Sequence, residues 1–397
     1  IIAKDPPSIE EDPDFSPEDI RYSTVRYVAS TTRNATGPSV SDPRTGEILE
    51  SDIIWYHNHL RSYRNRYLLE TGAANPKART LNTPEEEIGE MMRRVISHEI
   101  GHALGLPHNM KASSAYPVDS LRSGSFTQKF GIATTIMDYA RYNYVAQPGD
   151  ENIRFVRQLG PYDDYSIEWG YRFFNKSSEE EKDILKKFVD SKSLDPVYMF
   201  GGRGNDPNSQ TENIGDDPVK SSFYGIKNLK IVAENLKSWT LEPNENYNEL
   251  NELYGELIGV YRRYIYHVMT LVGGIYDTPH NENQKNVYRY VNVDKSKQIE
   301  ALGFLDKNLW TTQDWLMKPD LISQIRGEGV LNSVQGLQLQ ALDRLLNTSK
   351  LNRIVSSNIT LKGSSLTVDE LIFSLFNSLF TKTINPDYSQ QRMQLHF

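Results

Sequence analysis

The chain has 397 residues, with 44 Lys and Arg against 52 Asp and Glu, a formal net charge of −8 that argues against wrapping nucleic acid. With 38% hydrophobic and 24% charged residues it has the composition of a folded globular chain, and by length it holds roughly two or three domains. Cysteine is absent, which excludes disulfide frameworks, thiolate metal sites and thiol nucleophiles, and no apolar run reaches the roughly 18 residues that span a bilayer.

The opening Ile1-Ile2-Ala3-Lys4-Asp5-Pro6-Pro7 has neither the charged n-region nor the apolar stretch of a signal peptide. It reads as the end of a strand inside a longer chain, a processed or truncated piece of a precursor with a secretory signal upstream. Residues 20–30 are rich in β-branched and aromatic side chains in near-alternation, as in a half-buried strand. Ser39-Val40-Ser41 and Glu47-Ile48-Leu49-Glu50 flank the turn-forming Asp42-Pro43-Arg44-Thr45-Gly46 and predict a hairpin. From about 52 to 70 the pattern fits either a strand running into a helix or one helix. A helix follows over about 84–104: Thr83 can cap it, Glu85, Glu86 and Glu87 complement its dipole, and Ile88, Met91, Met92, Val95 and Ile96 recur at helical spacing. Gly105 supplies a left-handed stop.

Beyond Tyr144 the pattern is mostly helical. Gly160-Pro161-Tyr162-Asp163-Asp164 opens a short helix carrying Tyr165, Ile167 and Trp169, and Ser177 with Glu180 forms a capping box for a helix to about Asp190. The Gly-, Pro- and Asp-rich stretch 201–220 reads as a linker or long loop between a domain over 1–200 and a helical domain over 221–397. In that second part, Leu250, Leu253, Leu257, Ile258, Tyr261, Ile265, Val268 and Leu271 mark an amphipathic helix closed by Gly273-Gly274. Further helices are predicted over 319–326, 330–347 and, from the capping box Thr367-Val368-Asp369-Glu370, over 367–381.

Chemistry concentrates in Ser97-His98-Glu99-Ile100-Gly101-His102-Ala103-Leu104-Gly105-Leu106-Pro107-His108. Four residues apart on a helix, His98 and His102 share one face, about 6 Å apart along the axis, and both imidazoles can reach one ion. Glu99 is displaced by about 100° around the axis, where it can reach the water that a bound metal would activate rather than the metal itself. Gly105 permits the turn that returns the chain, and His108 then supplies a third ligand. Three neutral imidazoles with an open fourth position form a catalytic zinc site rather than a structural one.

These residues resemble the signature of the metzincin metallopeptidases, His-Glu-x-x-His-x-x-Gly-x-x-His followed by a methionine-containing turn, and Thr134-Thr135-Ile136-Met137-Asp138-Tyr139 looks like that turn. The resemblance implies that Met137 forms an apolar floor beneath the three imidazoles and that Tyr139 lies near the metal. The string 104–114, the segment 42–47 (Asp-Pro-Arg-Thr-Gly-Glu) and the segment 162–171 are also similar to a group of large bacterial secreted or periplasmic zinc metalloproteases. The similarity covers about residues 20–175 and only faintly the rest. Members of that group carry a helix and strands ahead of the position where this chain starts.

The expected architecture is an α/β (α+β) metzincin-like catalytic domain, with the zinc-binding helix under a mixed sheet, followed by the α-helical domain. The expected activity is zinc-dependent endopeptidase: His98, His102 and His108 hold one zinc ion, Glu99 is the general base, and Tyr139 assists at the oxyanion. A protein or peptide is the substrate, pairing by resemblance with an exposed strand edge within 37–50, and the location is secreted or periplasmic. Two readings stay open beside it, a zinc-retaining binding module that cleaves nothing and a zinc hydrolase of non-peptide amides. Outside the motif, His57 and His59 form a His-x-His pair better read as solvated or packed, and His267 reads as packed in its helix. The 206–217 loop has oxygen donors enough for a calcium ion but not the EF-hand spacing, and Gly201-Gly202-Arg203-Gly204 lacks the Lys-Ser/Thr of a phosphate loop.

Overall fold

The computed structural model describes residues 2–243, 246–282, 284, 287–325, 327–381 and 385–397. It forms two compact units, one of residues up to Tyr63 with Glu85–Pro107, the other of Arg64–Pro84 with His108–Phe397. The expected strand end at the start of the chain falls partly on Ile1, outside the described residues, and residues 2–7 form no strand.

In the first unit the strand predicted over 20–30 is regular only over Val25–Val28 (β1). β2 (Ala35–Thr36), the hairpin strands β3 (Ser39–Ser41) and β4 (Ile48–Ser51), and β5 (Ile53–Tyr56) follow. β5 is the centre of a mixed sheet: β1 pairs with it in parallel, Val25 opposite Ile53, and β2 antiparallel, Ala35 opposite Trp55. The hairpin forms as predicted because Asp42 organises its turn, accepting the Arg44 N–H at 2.8 Å, while Gly46 takes φ +77°. Between the two alternatives for 52–70, the chain takes the strand-then-helix form, β5 giving way to α1 (His59–Thr71).

The predicted zinc helix is α2 (Glu85–Ala103), and it packs against β5, β2 and β4. Met91 and Val95 are buried on its inner face, and Ile53 and Trp55 are the buried positions of β5. Helical period thus meets strand alternation, each large apolar side chain contributing about 1.5–3 kcal/mol.

The second unit contains the C-terminal part of α1, then α3 (Gly124–Phe130), α4 (Pro161–Tyr171), α5 (Ser178–Asp190), α6 (Pro218–Thr240), α7 (Asn248–Met269) and the ribbon β6 (Ile275–Asp277) with β7 (Tyr290–Asn292). It closes with α8 (Lys295–Asn308), α9 (Pro319–Ile322), α10 (Gly327–Leu346), α11 (Thr348–Thr360), α12 (Val368–Phe376) and α13 (Tyr388–His396). Both predicted capping boxes form, Ser177 with Glu180 and Thr367 with Glu370. The helix expected over 319–326 is regular only to Ile322, and its last position, 326, lies outside the described residues. One apolar core joins Leu68, Leu69, Tyr116, Ile132 and Tyr144 to Leu229 and Val232 of α6 and Leu253, Leu257 and Ile265 of α7.

The stretch 201–217 is a loop held inside this unit: Asp206, Ser209, Glu212, Asn213 and Ile214 are all buried in it. At its end Asp217 caps α6, accepting the Val219 and Lys220 N–H groups at 3.0 Å, with Pro218 in the first turn. Midway, Glu212 adopts φ +63° and gathers Arg66 at 2.8 Å, Arg141 at 2.6 Å and Arg263 onto one buried carboxylate. Among the described residues no helix is long and apolar enough to cross a membrane.

Candidate metal centre

His98 and His102 stand on the last turns of α2 with ring centroids 4.8 Å apart at 87°. The helix stops just past them. The Gly105 N–H donates to the His102 carbonyl at 2.8 Å and the Leu106 N–H to the Gly101 carbonyl at 2.9 Å, a Schellman closure that requires the φ of +84° Gly105 adopts. The same turn brings the Leu106 carbonyl to 2.8 Å from His102 Nδ1. A carbonyl only accepts, so Nδ1 carries the proton and Nε2 keeps its lone pair for a ligand. Glu99 is buried beside His98, and the β2–β3 connection crosses it closely: a Cβ at Gly37 would lie 2.9 Å from the Glu99 carbonyl oxygen and 3.3 Å from its Oε2. Glycine at position 37 is what permits that approach.

In the second unit His108 leads into Asn109, whose N–H donates to the Met137 carbonyl at 3.2 Å. Met137 is buried in the turn predicted for it. Asp163 of α4 holds this turn, accepting the Thr135 hydroxyl, the Ile136 N–H at 2.9 Å and the Gly160 N–H at 2.8 Å. Arg157 donates to the Ile136 carbonyl at 2.8 Å, and Asp138 accepts the Ser113 N–H at 2.8 Å and the Ala140 N–H at 2.7 Å. Burial pushes the Asp138 carboxyl up to about 6 and raises that of Asp163 above the ordinary carboxylate range. Tyr139 lies with its ring centroid 4.4 Å from that of His108.

The ligand atoms of His98, His102 and His108 all lie within 4.8 Å of one another, the one group of three or more candidate metal ligands among the described residues. Three imidazole donors, one with its tautomer set by a backbone carbonyl, fit zinc by ligand type. Sequence reasoning missed the supports: Asn109, Asp138, Arg157 and Asp163. The signal for Asp163 was present, an Asp three residues after Gly160 at a helix start with Pro161 between them, which is capping chemistry.

Among the described residues no other histidine belongs to such a group. His57 is exposed and hydrogen-bonded through Nδ1 to the Tyr27 hydroxyl, and His59 packs edge-on to Trp55 at 5.3 Å and Tyr63 at 4.7 Å. His267 bonds through Nε2 to the Thr211 carbonyl at 2.9 Å, and burial lowers its pKa to about 3. Calcium finds no support in the 206–217 loop, because its carboxylates are already engaged. Asp206 pairs with Lys111 at 2.7 Å, Asp216 accepts the Val118 N–H at 3.0 Å, Asp217 caps α6 and pairs with Lys297 at 2.8 Å, and Glu212 takes the three arginines.

No curated protein and no solved structure matches the chain. The family model described as Met-zincin matches residues 80–387, well over half of the 397 residues and including the three histidines and the methionine turn. On that match and the histidine cluster, the chain belongs to the Met-zincin family and is a zinc-dependent metallopeptidase of metzincin type.

Proposed function

We propose that the chain is an endopeptidase in which His98, His102 and His108 hold the zinc, Glu99 moves the proton and Tyr139 assists at the oxyanion. The observation that carries this is the three-imidazole cluster with a buried carboxylate at the position after its first histidine. Zinc held by His98, His102 and His108 would supply Lewis acidity toward a carbonyl and toward water. Glu99 accepts the proton of the attacking water and returns it to the departing amine. The Tyr139 hydroxyl donates to the oxygen on which negative charge develops. Gly37 holds the strand connection against Glu99 and so limits where its carboxylate can swing.

An extended peptide suits the hairpin. β3 pairs with β4 on one side only among the described strands, and its residues are exposed, so its other edge offers free main-chain donors and acceptors. A secreted or periplasmic location belongs to the same reading and rests on the resemblance of the motif segments. A non-catalytic zinc module has no chemical need for Glu99, which disfavours that reading.

The test is Glu99→Ala. The variant is expected to keep about one zinc per chain while losing roughly two or more decades of peptide cleavage. Loss of the metal would make Glu99 a ligand, and unchanged turnover would remove it from proton transfer. A digest of whole proteins separates internal cleavage from trimming of chain ends.

A further inference from the structure

The loop after α5 carries a cation to Tyr139. Asn109, next to His108, accepts the Gly201 N–H at 3.0 Å through Oδ1 and donates through Nδ2 to the Met199 carbonyl at 2.9 Å, and the Met110 N–H donates to the Gly201 carbonyl at 2.7 Å. On its far side the Ser209 hydroxyl donates to the Gly202 carbonyl at 2.6 Å and the Gln210 amide to the Gly204 carbonyl at 2.9 Å. A Cβ at Gly201 would meet Ser209 Oγ at 2.6 Å and Lys111 Cβ at 2.9 Å, so the loop is seated closely where it passes the residues after His108.

So held, Arg203 lays its guanidinium over the Tyr139 ring, 5.3 Å from the centroid, and that ring is 4.4 Å from the His108 imidazole. Arg203 is exposed and in no ion pair among the described residues, whereas Arg122, Arg141, Arg172 and Arg289 of the same unit each have a carboxylate. The guanidinium over the ring makes no hydrogen bond or ion pair among the described residues, so its five N–H donors are open to a planar acceptor. A carboxylate is the group that matches that fork, bidentately and with charge.

We infer that Arg203 is a specificity-determining residue that binds a carboxylate of the substrate beside the scissile bond, so that the enzyme selects acidic peptides. The inference rests on the peptidase reading of the site. The carboxylate has two sources with the same chemistry, an Asp or Glu side chain or the free C-terminus of a short peptide.

The experiment begins from a peptide that wild type cleaves, or, if none is found, from a fixed neutral peptide. It is remade with Glu or Gln at each of the three positions on either side of the bond, and with a free or amidated C-terminus. Wild type is expected to favour the carboxylate member of one pair by about three- to tenfold in kcat/KM, falling as salt rises from about 0.05 to about 0.5 M. A Glu over Gln preference identifies the side chain, and a free over amidated preference the terminus; either supports the inference. The ratio is expected near one in Arg203→Gln, inverted in Arg203→Glu and partly kept in Arg203→Lys, and because it is a ratio any general loss of activity divides out. A wild-type ratio near one, or a ratio unchanged in Arg203→Gln, overturns the inference. Anisotropy binding of the same peptides to the Glu99→Ala protein reads the ratio without turnover. A binding ratio that follows Arg203 while wild type cleaves nothing sinks the peptidase reading and keeps the carboxylate site. Good cleavage with a ratio indifferent to Arg203 does the reverse.

Discussion

The main chain joins Asn109 to Met137: the N–H of the residue after the third histidine donates to the methionine's carbonyl at 3.2 Å. This bond is independent of either side chain, so it fixes the His108 loop against the turn and leaves the Asn109 side chain to hold 199–201. Position 109 therefore links two layers of support, the methionine turn and the loop bearing Arg203.

The turn depends from its other side on Asp163. In Asp163→Ala the Ile136 and Gly160 N–H groups lose their acceptor in a buried setting, at a cost of about 1–3 kcal/mol each. Denaturant unfolding is expected to show a loss of a few kcal/mol, and dialysis against a chelator faster release of zinc. Unchanged stability with unchanged release would mean that the clamp is redundant.

Tyr139→Phe removes one hydroxyl and keeps the ring that neighbours both His108 and Arg203. An oxyanion donor acts mainly in the transition state, so kcat should fall about 10–1,000-fold with little change in KM, while zinc content and melting temperature hold. Steady-state kinetics on one peptide decides it, and wild-type kcat in the metallated variant would exclude the hydroxyl from catalysis.

Gly37→Ala places a methyl group 2.9 Å from the Glu99 carbonyl oxygen and 3.3 Å from its Oε2. Overpacking of this kind costs about 1–3 kcal/mol. The expected outcome is a lower melting temperature together with a kcat reduced by about tenfold and zinc retained. In a Glu99→Ala background the same substitution should leave residual turnover nearly unchanged, since the carboxylate it displaces is gone; a further tenfold loss there would place the effect in the backbone instead.

The parts of the fold legible in the sequence were those written in local chemistry. The zinc helix announced itself by Glu85, Glu86 and Glu87 at one end and Gly105 at the other, the hairpin by Asp42 to Gly46, and the α5 and α12 starts by their capping boxes. The start of α6 had an equally local signal, Asp217-Pro218, but it sat in a run of Gly, Pro and Asp that reads as a linker. What sequence could not show were the pairings between distant segments: Asp163 with the turn, Asn109 with Gly201, and Arg203 over Tyr139. None of these leaves a periodicity or a spacing, because each depends on where the core places two remote stretches of chain.

His267 makes acid stability predictable in sign. Burial lowers its pKa to about 3 from an unfolded value near 6.5, so between those values the unfolded chain binds the extra proton. Its contribution is fully present above about pH 6.5 and is lost as pH falls toward 3, on the order of 5 kcal/mol over the whole window. Denaturant unfolding at about pH 7, 5 and 4 is expected to show a steeper decline for wild type than for His267→Gln. Parallel declines would mean that the imidazole is charged in the folded state.

Lys111, three residues past the third histidine of the cluster, closes on partners supplied much later in the chain: the Asp206 carboxylate, 95 residues on, and the Asp277 carbonyl, 166 residues on. Contacts of such long sequence separation form late, because loop-closure entropy must be overcome before they reward the chain. In chain order Lys111 precedes both of its partners, so its place is fixed only once the 206 and 277 stretches have packed against it. A buried ammonium left without its carboxylate is costly, so the stretch after His108 settles only together with the Asp206 loop, and its final geometry is a property of the folded unit rather than of the motif.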